Sequence, residues 1–325
     1  MTKPVLLSDY NPQWPNMFEQ FAHRIRTIVG DDLSAIFHVG STSVPGLCAK
    51  PVIDILPTVR DLTLLEKFKS DFERAGFEWR GEYGIPGRRY IVGKEGSIAA
   101  NVGCHIHFFA SSNFEVNKHV LFRDYLRTNE VAKQEYAALK RNMATTYPND
   151  RDAYQKSKEL LIEILITKAW QQTIIYREPI QVNVFGVSQS SIGAKFLMLK
   201  RIEQRGGFWQ SVTGAPEVRE SLKSAAKREF FEETRIQLNE VKDLAFSYSF
   251  PLDPRLWSAV YRPEVIRIDE HVYWSELSEA QIPKLSNEHT AYEWATYEKC
   301  IELLKWQSNK DALKILSETL NHVSV

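Results

Sequence analysis

Hydrophobic and polar positions recur along this chain with two periods, and each change of period marks an element. From Trp14 to Val29 the apolar residues Phe18, Phe21, Ile25 and Ile28 fall at helical spacing and predict an amphipathic helix. Ala35 to Val39 reads as a strand and leads into the glycine-bounded turn Gly40-Ser41-Thr42-Ser43-Val44-Pro45-Gly46. Pro51 to Leu56 is a short apolar strand with one carboxylate, Asp54. Leu62 to Ala75 is helical in composition, and Gly84-Ile85-Pro86-Gly87 is a turn into Arg88-Arg89-Tyr90. Cys104 to Phe109 alternates His105 and His107 with apolar residues, a strand with one polar face. Three helical segments are predicted from Phe114 to Ala169, broken by Pro148 and Asn149-Asp150. Beyond them, Val182 to Val187 and Lys195 to Lys200 predict a hairpin with Ser188 to Gly193 as its turn. Phe208 to Thr213 is a short strand stopped by Gly214, and Ser221 to Thr234 is a helix. Leu244 to Tyr273 is rich in strand formers, Ala291 to Thr296 is a further strand, and Ser308 to Leu320 closes as a helix.

Length and composition narrow the class. A chain of 325 residues suits two domains, each with its own core. Gln171 to Pro179 is the expected connector, which sets the domains at 1–172 and 178–325. Lysine plus arginine and aspartate plus glutamate both number 41, so no bulk charge draws the protein to nucleic acid or anionic lipid. Cys48, Cys104 and Cys300 are too few and too scattered for a disulfide frame or a zinc site; buried thiols in a reducing compartment are expected. The opening MTKPVLLSDYNPQWP is polar and broken by proline, unlike a signal peptide. The longest apolar run, Leu160 to Ile166, is interrupted by Glu163 and far too short for a bilayer. A soluble, cytoplasmic protein without a membrane partner is the expectation.

The candidate chemistry is densest between Phe208 and Ile236. On the helix from Ser221, Glu229, Glu232 and Glu233 stand at i, i+3 and i+4, so their carboxylates share one face. Like charges so placed repel by roughly a few tenths of a kcal/mol per pair, and a divalent cation reverses that sign. Magnesium, or manganese in its place, prefers such oxygen ligands together with substrate phosphates. Gly214 lets backbone approach a phosphate, because no Cβ intervenes. The plain alternative is a solvated helix whose glutamates pair with Lys223, Lys227, Arg228 and Arg235.

Gly214, Glu220, Arg228-Glu229-Phe230 and Glu232-Glu233 together resemble the box of the Nudix hydrolases. One position departs: Arg235 stands where that family usually has glycine, and a left-handed arginine there would cost about 1 kcal/mol. The stretches FWQSVTG from Phe208, NEHTAYEW from Asn287 and KWQSNKDAL from Lys305 are similar to bacterial dihydroneopterin triphosphate pyrophosphohydrolases. The resemblance implies an α/β/α sandwich and metal on Glu229, Glu232, Glu233 and Glu288, with Glu288 across the cleft. It also implies hydrolysis of a small-molecule triphosphate to a monophosphate and pyrophosphate. Glu229 or Glu288 would take the proton from water, and Arg228 would orient Glu229. Trp209, Gln210 and Trp294 suit a flat heterocycle, by stacking and by an amide at its polar edge, although core packing is the plainer reading for both tryptophans.

In the first half, His38-Val39-Gly40-Ser41 followed by Asp54 looks like a nucleotidyltransferase signature. HVGSTSVPGLCAKPVIDI, GIPGRRY, FRDYLR and YAALK more closely resemble the GrpB family, and the resemblance implies a nucleotidyltransferase-like α+β domain. The implied nucleotide site uses Gly40, Ser41 and Asp54; Lys50, Arg88, Arg89, Arg123 and Arg127 either add phosphate contacts, with Gly87 beside Arg88-Arg89 as an anion-binding turn, or form ordinary surface ion pairs. Leu56 occupies the place of a second acidic residue, so Asp54 alone makes a weak two-metal centre. Glu82 and Asp124 are the carboxylates that folding could add. His105 and His107 read as a polar sheet face lining a cleft rather than as metal ligands. Two other readings stay open: a nucleotidyltransferase centred on this half, or a nucleotide sensor without turnover.

Overall fold

The computed structural model describes residues 4–93, 102–172, 176–190, 193–217, 220–252 and 260–323. Parts of three expectations lie outside these residues: 173–175 of the connector, 191–192 of the hairpin turn and 253–259 of the strand-rich stretch. The chain forms two compact units. One is Met1–Tyr176 with Asp253–Arg267, and the other is Arg177–Leu252 with Ile268–Val325. Asp253–Arg267, which the sequence pattern gives to the C-terminal domain, therefore groups with the first unit. Its described part is held there by Ile266 N donating to Ser34 O at 3.0 Å and by Glu264 on Arg123 at 2.9 Å.

The first unit is built on a 5-stranded sheet of order β1-β2-β5-β4-β3. Its strands are β1 (Leu33–Val39), β2 (Val52–Val59), β3 (Phe77–Trp79), β4 (Arg88–Gly93) and β5 (Gly103–Ala110). Only the β2–β5 pairing is parallel, and it sets Asp54 directly beside His105. The amphipathic helix α1 (Trp14–Val29) forms as its spacing demands, burying Trp14, Phe18, Phe21, Ala22, Ile25 and Val29. These pack with Ile53, Ile55, Phe72 and Phe108.

Leu62 to Ala75 divides into a 3₁₀ stretch, Leu62–Phe68, and the short α2 (Lys69–Arg74). The three helical segments expected after Phe114 are four: α3 (Phe114–Thr128), α4 (Glu130–Thr146), α5 (Arg151–Lys156) and α6 (Glu159–Gln172). Local side chains mark two of the starts, the second at the expected break. Asn129 accepts from Ala132 N and Asp150 from Asp152 N and Ala153 N, so each caps a new start. These helices enclose a second core with Val44, Leu47, Tyr125, Leu126, Tyr136 and Leu165.

The second unit is an α/β/α sandwich on a 7-stranded sheet. Its main path runs β10-β11-β6-β7-β12, made of β6 (Ile180–Ser190), β7 (Gly193–Arg201), β10 (Lys242–Pro251), β11 (Arg267–Glu276) and β12 (His289–Thr296). The expected strand at Phe208 divides into β8 (Trp209–Gln210) on β7 and β9 (Val212–Gly214) on β6. Strand alternation sends Val182, Val184, Leu197 and Leu199 to one face, against Ala225, Ala226 and Phe230 of α7 (Leu222–Thr234). Phe185, Val187, Phe196 and Met198 face the other way, onto α8 (Tyr297–Leu303) and α9 (Gln307–Val323). Helix α8 was not legible in the pattern; it starts where Thr296 accepts from Lys299 N.

This second face holds an inner polar cluster. Asn183 Nδ2 donates to Glu270 Oε1 at 3.1 Å, and Tyr248 bridges Glu270 and Asn309. Burial pushes the Glu270 carboxyl up to about 7. The three cysteines are buried free thiols. Among the described residues no helix is long and apolar enough to cross a membrane.

Candidate active site

Helix α7 starts at Ser221, whose side chain accepts from Ser224 N, and presents Glu229, Glu232 and Glu233 along one turn. One cation organises this end. Arg228 Nη2 lies 2.8 Å from Glu220 Oε2 and 2.9 Å from Ala215 O, while Nη1 reaches Glu229 at 2.9 Å and Glu232 at 3.2 Å. Glu220 also accepts from Glu217 N at 2.8 Å, so it anchors Arg228 and closes the turn before the helix.

The three box carboxylates have different surroundings. Glu229 is mostly buried, and burial raises its proton affinity against the pull of Arg228; Glu232 and Glu233 add to the rise. Burial alone would raise Glu233 too, but His289 Nδ1 at 2.8 Å and the Ser286 hydroxyl hold it below the usual carboxylate value. Glu232 is half exposed and meets only Arg228 among the ion pairs of the described residues.

Gly214 has a different task from the one its place in the loop suggests. A Cβ there would lie 1.9 Å from Glu229 Cδ and 2.2 Å from Oε2. The space left free by the missing side chain is filled by the Glu229 carboxylate, not held open for a ligand. Arg235 takes the left-handed conformation, φ 58° and ψ 15°, and ends the helix with its N–H on Phe231 O at 2.7 Å. Its guanidinium rests over the Phe231 ring. Arg235→Gly should therefore stabilise the second unit by about 1 kcal/mol, less whatever the ring contact contributes. A melting temperature that falls in this variant would contradict the strain.

The remaining sequence candidates separate. Glu288 is paired with Arg201 at 2.9 Å and Arg205 at 2.5 Å, not with the box carboxylates. Trp209 packs on the α9 side of the sheet and Trp294 on the α7 side, so the two rings do not form a clamp. Gln210 is opposite Leu199, a residue of the α7-side core, and donates to Thr213 Oγ1 at 3.1 Å. It thus shares a face with Trp294, whose buried indole N–H has no hydrogen-bond partner among the described residues. His289 and Ser286 are site neighbours that patterning missed. Lys284 N and Ser286 N donate to Thr234 O and Glu233 O, bringing that loop onto the end of α7.

In the first unit, Gly40 (φ +69°) lies against Asp54, where an added Cβ would meet Oδ2 at 2.4 Å. Asp54 Oδ1 is 3.3 Å from His105 Nδ1 and 4.0 Å from His107 Nε2. These three form the one group among the described residues with donor atoms all within 4.8 Å of one another, so the two histidines do flank a carboxylate. Arg88 Nη1 stands 3.3 Å from His107 Nδ1 and can only donate. The His107 proton is then on Nε2, facing Asp54, which makes that ring a donor rather than a ligand. Burial alone would raise Asp54, but the two histidines hold it well below the carboxylate range.

Arg88 otherwise serves Glu82 O and Tyr83 O, and Arg89 pairs with Glu66 at 2.6 Å. Glu82 accepts from Gly87 N, and Asp124 pairs with Arg123 and Arg262. Neither carboxylate joins Asp54.

Two family profiles match the chain. One, described as "GrpB protein", covers residues 4–168, and the other, "NUDIX domain", covers 178–317. The UPF0157 protein YqkA of Bacillus subtilis is 36% identical over 150 residues, 46% of this chain and 43% of that protein. This chain therefore spans less than half the length of that relative. The dihydroneopterin triphosphate diphosphatase of Haemophilus influenzae is 36% identical over 124 residues, 37% of this chain and 77% of that protein. The crystal structure of GrpB from Enterococcus faecalis is 34% identical, covers 51% of this chain and 98% of its own, and has a TM-score of 0.47.

Proposed function

The chain belongs to the GrpB family over its first half and to the Nudix family over its second, and from that premise we propose that the second unit is a pyrophosphohydrolase of nucleoside-type triphosphates. The observation that carries the reading is the carboxylate face of α7, with Glu229 pressed against Gly214 and fixed by Arg228. The oxygen donors of Glu229, Glu232 and Glu233 fit a hard divalent cation, and these residues would hold magnesium, with manganese as its substitute. Such a cation would supply charge neutralisation for phosphate oxygens and Lewis acidity toward water.

The chain's own residues do the rest. Glu229 accepts the proton of the attacking water, because burial raises its proton affinity while His289 and Ser286 lower that of Glu233. Arg228 keeps its carboxylate oriented, and Glu220 keeps Arg228 in place. His289 and Ser286 hold Glu233 charged. Water attacks one phosphorus, the phosphoanhydride bond breaks, and a monophosphate and pyrophosphate leave. Glu288 stands with Arg201 and Arg205 as a charged group beside this chemistry rather than as its base.

The substrate reading draws on the Haemophilus relative and on two groups on the box side of the sheet. Gln210 and the unpartnered Trp294 indole N–H suit the polar edge of a flat heterocycle. Dihydroneopterin triphosphate should be cleaved best, purine triphosphates such as dATP next, and pyrimidines poorly. Hydrogen bonding decides this order, since a missing partner leaves a buried group unpaired. A magnesium-containing screen of these triphosphates, reading pyrophosphate release and kcat/KM, tests it. A pyrimidine at the head of the ranking would end the pterin assignment and leave the hydrolytic chemistry standing. For the first unit we propose nucleotide binding around Gly40, Ser41, Lys50 and Asp54.

A further inference from the structure

Three lysines of the first unit gather where no ion pair among the described residues explains them. Lys140 and Lys158 are 3% and 8% exposed, unusually low for lysine. Lys50 Nζ and Lys158 Nζ both lie on the Tyr154 ring, 4.5 and 4.1 Å from its centroid. Lys140 donates to Cys48 O, two residues from Lys50, and sits 5.4 Å from the Tyr136 ring. Among the described residues, none of the three has a carboxylate within 4.0 Å. Among the described residues, Lys140 and Lys158 have one acceptor apiece, Cys48 O and Gln155 Oε1, for three N–H groups each. Burial, then the neighbouring lysines, pushes Lys158 down to about 7. Lys140 falls to about 8, also chiefly by burial. Asp54 pulls all three the other way.

Buried like charges with unfilled donors are costly unless a counter-charge arrives. We propose that Lys50, Lys140 and Lys158 form the binding site for the polyphosphate chain of a small ligand, beside the Gly40-Ser41 turn and Asp54. The inference rests on the reading of the first unit as a nucleotide-binding domain and gives it a phosphate subsite. A linear polyphosphate brings several charges and many acceptor oxygens in a narrow shape, which suits three ammonium groups gathered around Tyr154 and Cys48 O. A single carboxylate would satisfy one of them. A nucleic acid duplex is too broad to reach amines this deeply covered. The arginines next to Gly87 are already committed to turn carbonyls and to Glu66, so they offer no equal alternative.

The test is calorimetric titration of the full chain, in excess chelator, with inorganic phosphate, pyrophosphate, tripolyphosphate and ATP. Affinity should rise along the inorganic series. Lys50→Gln and Lys158→Gln should each weaken tripolyphosphate by about tenfold or more, with circular dichroism unchanged. Lys50 is half-buried, so its variant keeps the test valid if Lys158→Gln fails to fold. No binding of tripolyphosphate or ATP, or affinities within twofold of wild type in a folded Lys50→Gln, overturns the proposal. Binding of ATP that ignores these lysines also overturns it, while leaving nucleotide binding intact. Tripolyphosphate binding that is lost in the lysine variants, with ATP no tighter, upholds the subsite and removes the nucleotide reading.

Discussion

Glu233→Gln is expected to lower kcat by about three orders of magnitude in a protein that still folds. Glutamine keeps the shape of the side chain and can still accept from Ser286, so the loop at 284–289 stays docked. What disappears is the full negative charge on the carboxylate face of α7. Charge stabilisation by a bound cation is worth several kcal/mol, and each 1.4 kcal/mol is a decade of rate, which gives about 10³. Glu232→Gln should act in the same direction, because its half-exposed carboxylate has only Arg228 to satisfy. Excess chelator should silence the wild type as thoroughly as either variant. Steady-state kinetics with pyrophosphate detection, alongside circular dichroism melts, separate this from unfolding. Near-wild-type turnover in Glu233→Gln, or in chelator, would remove the metal-dependent mechanism altogether.

Gly214→Ala should be nearly as damaging, by about a hundredfold, although it adds one methyl group and removes no functional atom. That methyl would occupy the volume of the Glu229 carboxylate, 1.9 Å from its Cδ. Glu229 must then swing away from both Gly214 and Arg228, and the proton acceptor leaves its position. Misplacement of a reacting group by about 1 Å is enough for a loss of this size. The loss should fall on kcat more than on KM, since the phosphates have other partners. A circular dichroism melt of the alanine variant separates this loss from unfolding. If Gly214→Ala keeps more than half the activity, the close approach does not position Glu229, and the glycine serves only the loop.

Periodicity alone determined a good part of this molecule. The helical spacing of Trp14, Phe18, Phe21 and Ile25 could be satisfied only by α1, and the three-and-four spacing of Glu229, Glu232 and Glu233 forced their common face. Such signals are local: a few residues of one element contain the whole message. The left-handed Arg235 at the end of α7 was a condition raised by the family comparison rather than a periodic signal, and the structure shows it.

The rest depended on which strands pair and in what register, and that is set by packing between distant segments. Asp54 meets His105 because β2 runs parallel to β5, and nothing near either residue states this. Trp209 and Trp294 look alike in the sequence but fall on opposite faces once β8 and β12 take their registers on β7. Glu288 finds Arg201 and Arg205, and the three lysines collect around Tyr154 and Cys48, only after folding closes long loops. Side-chain charge can be counted in a sequence, but which charges are buried together is a property of the packed chain. The sequence therefore determined the carboxylates of α7 and their shared face, whereas tertiary structure decided what holds them and which charges are buried together.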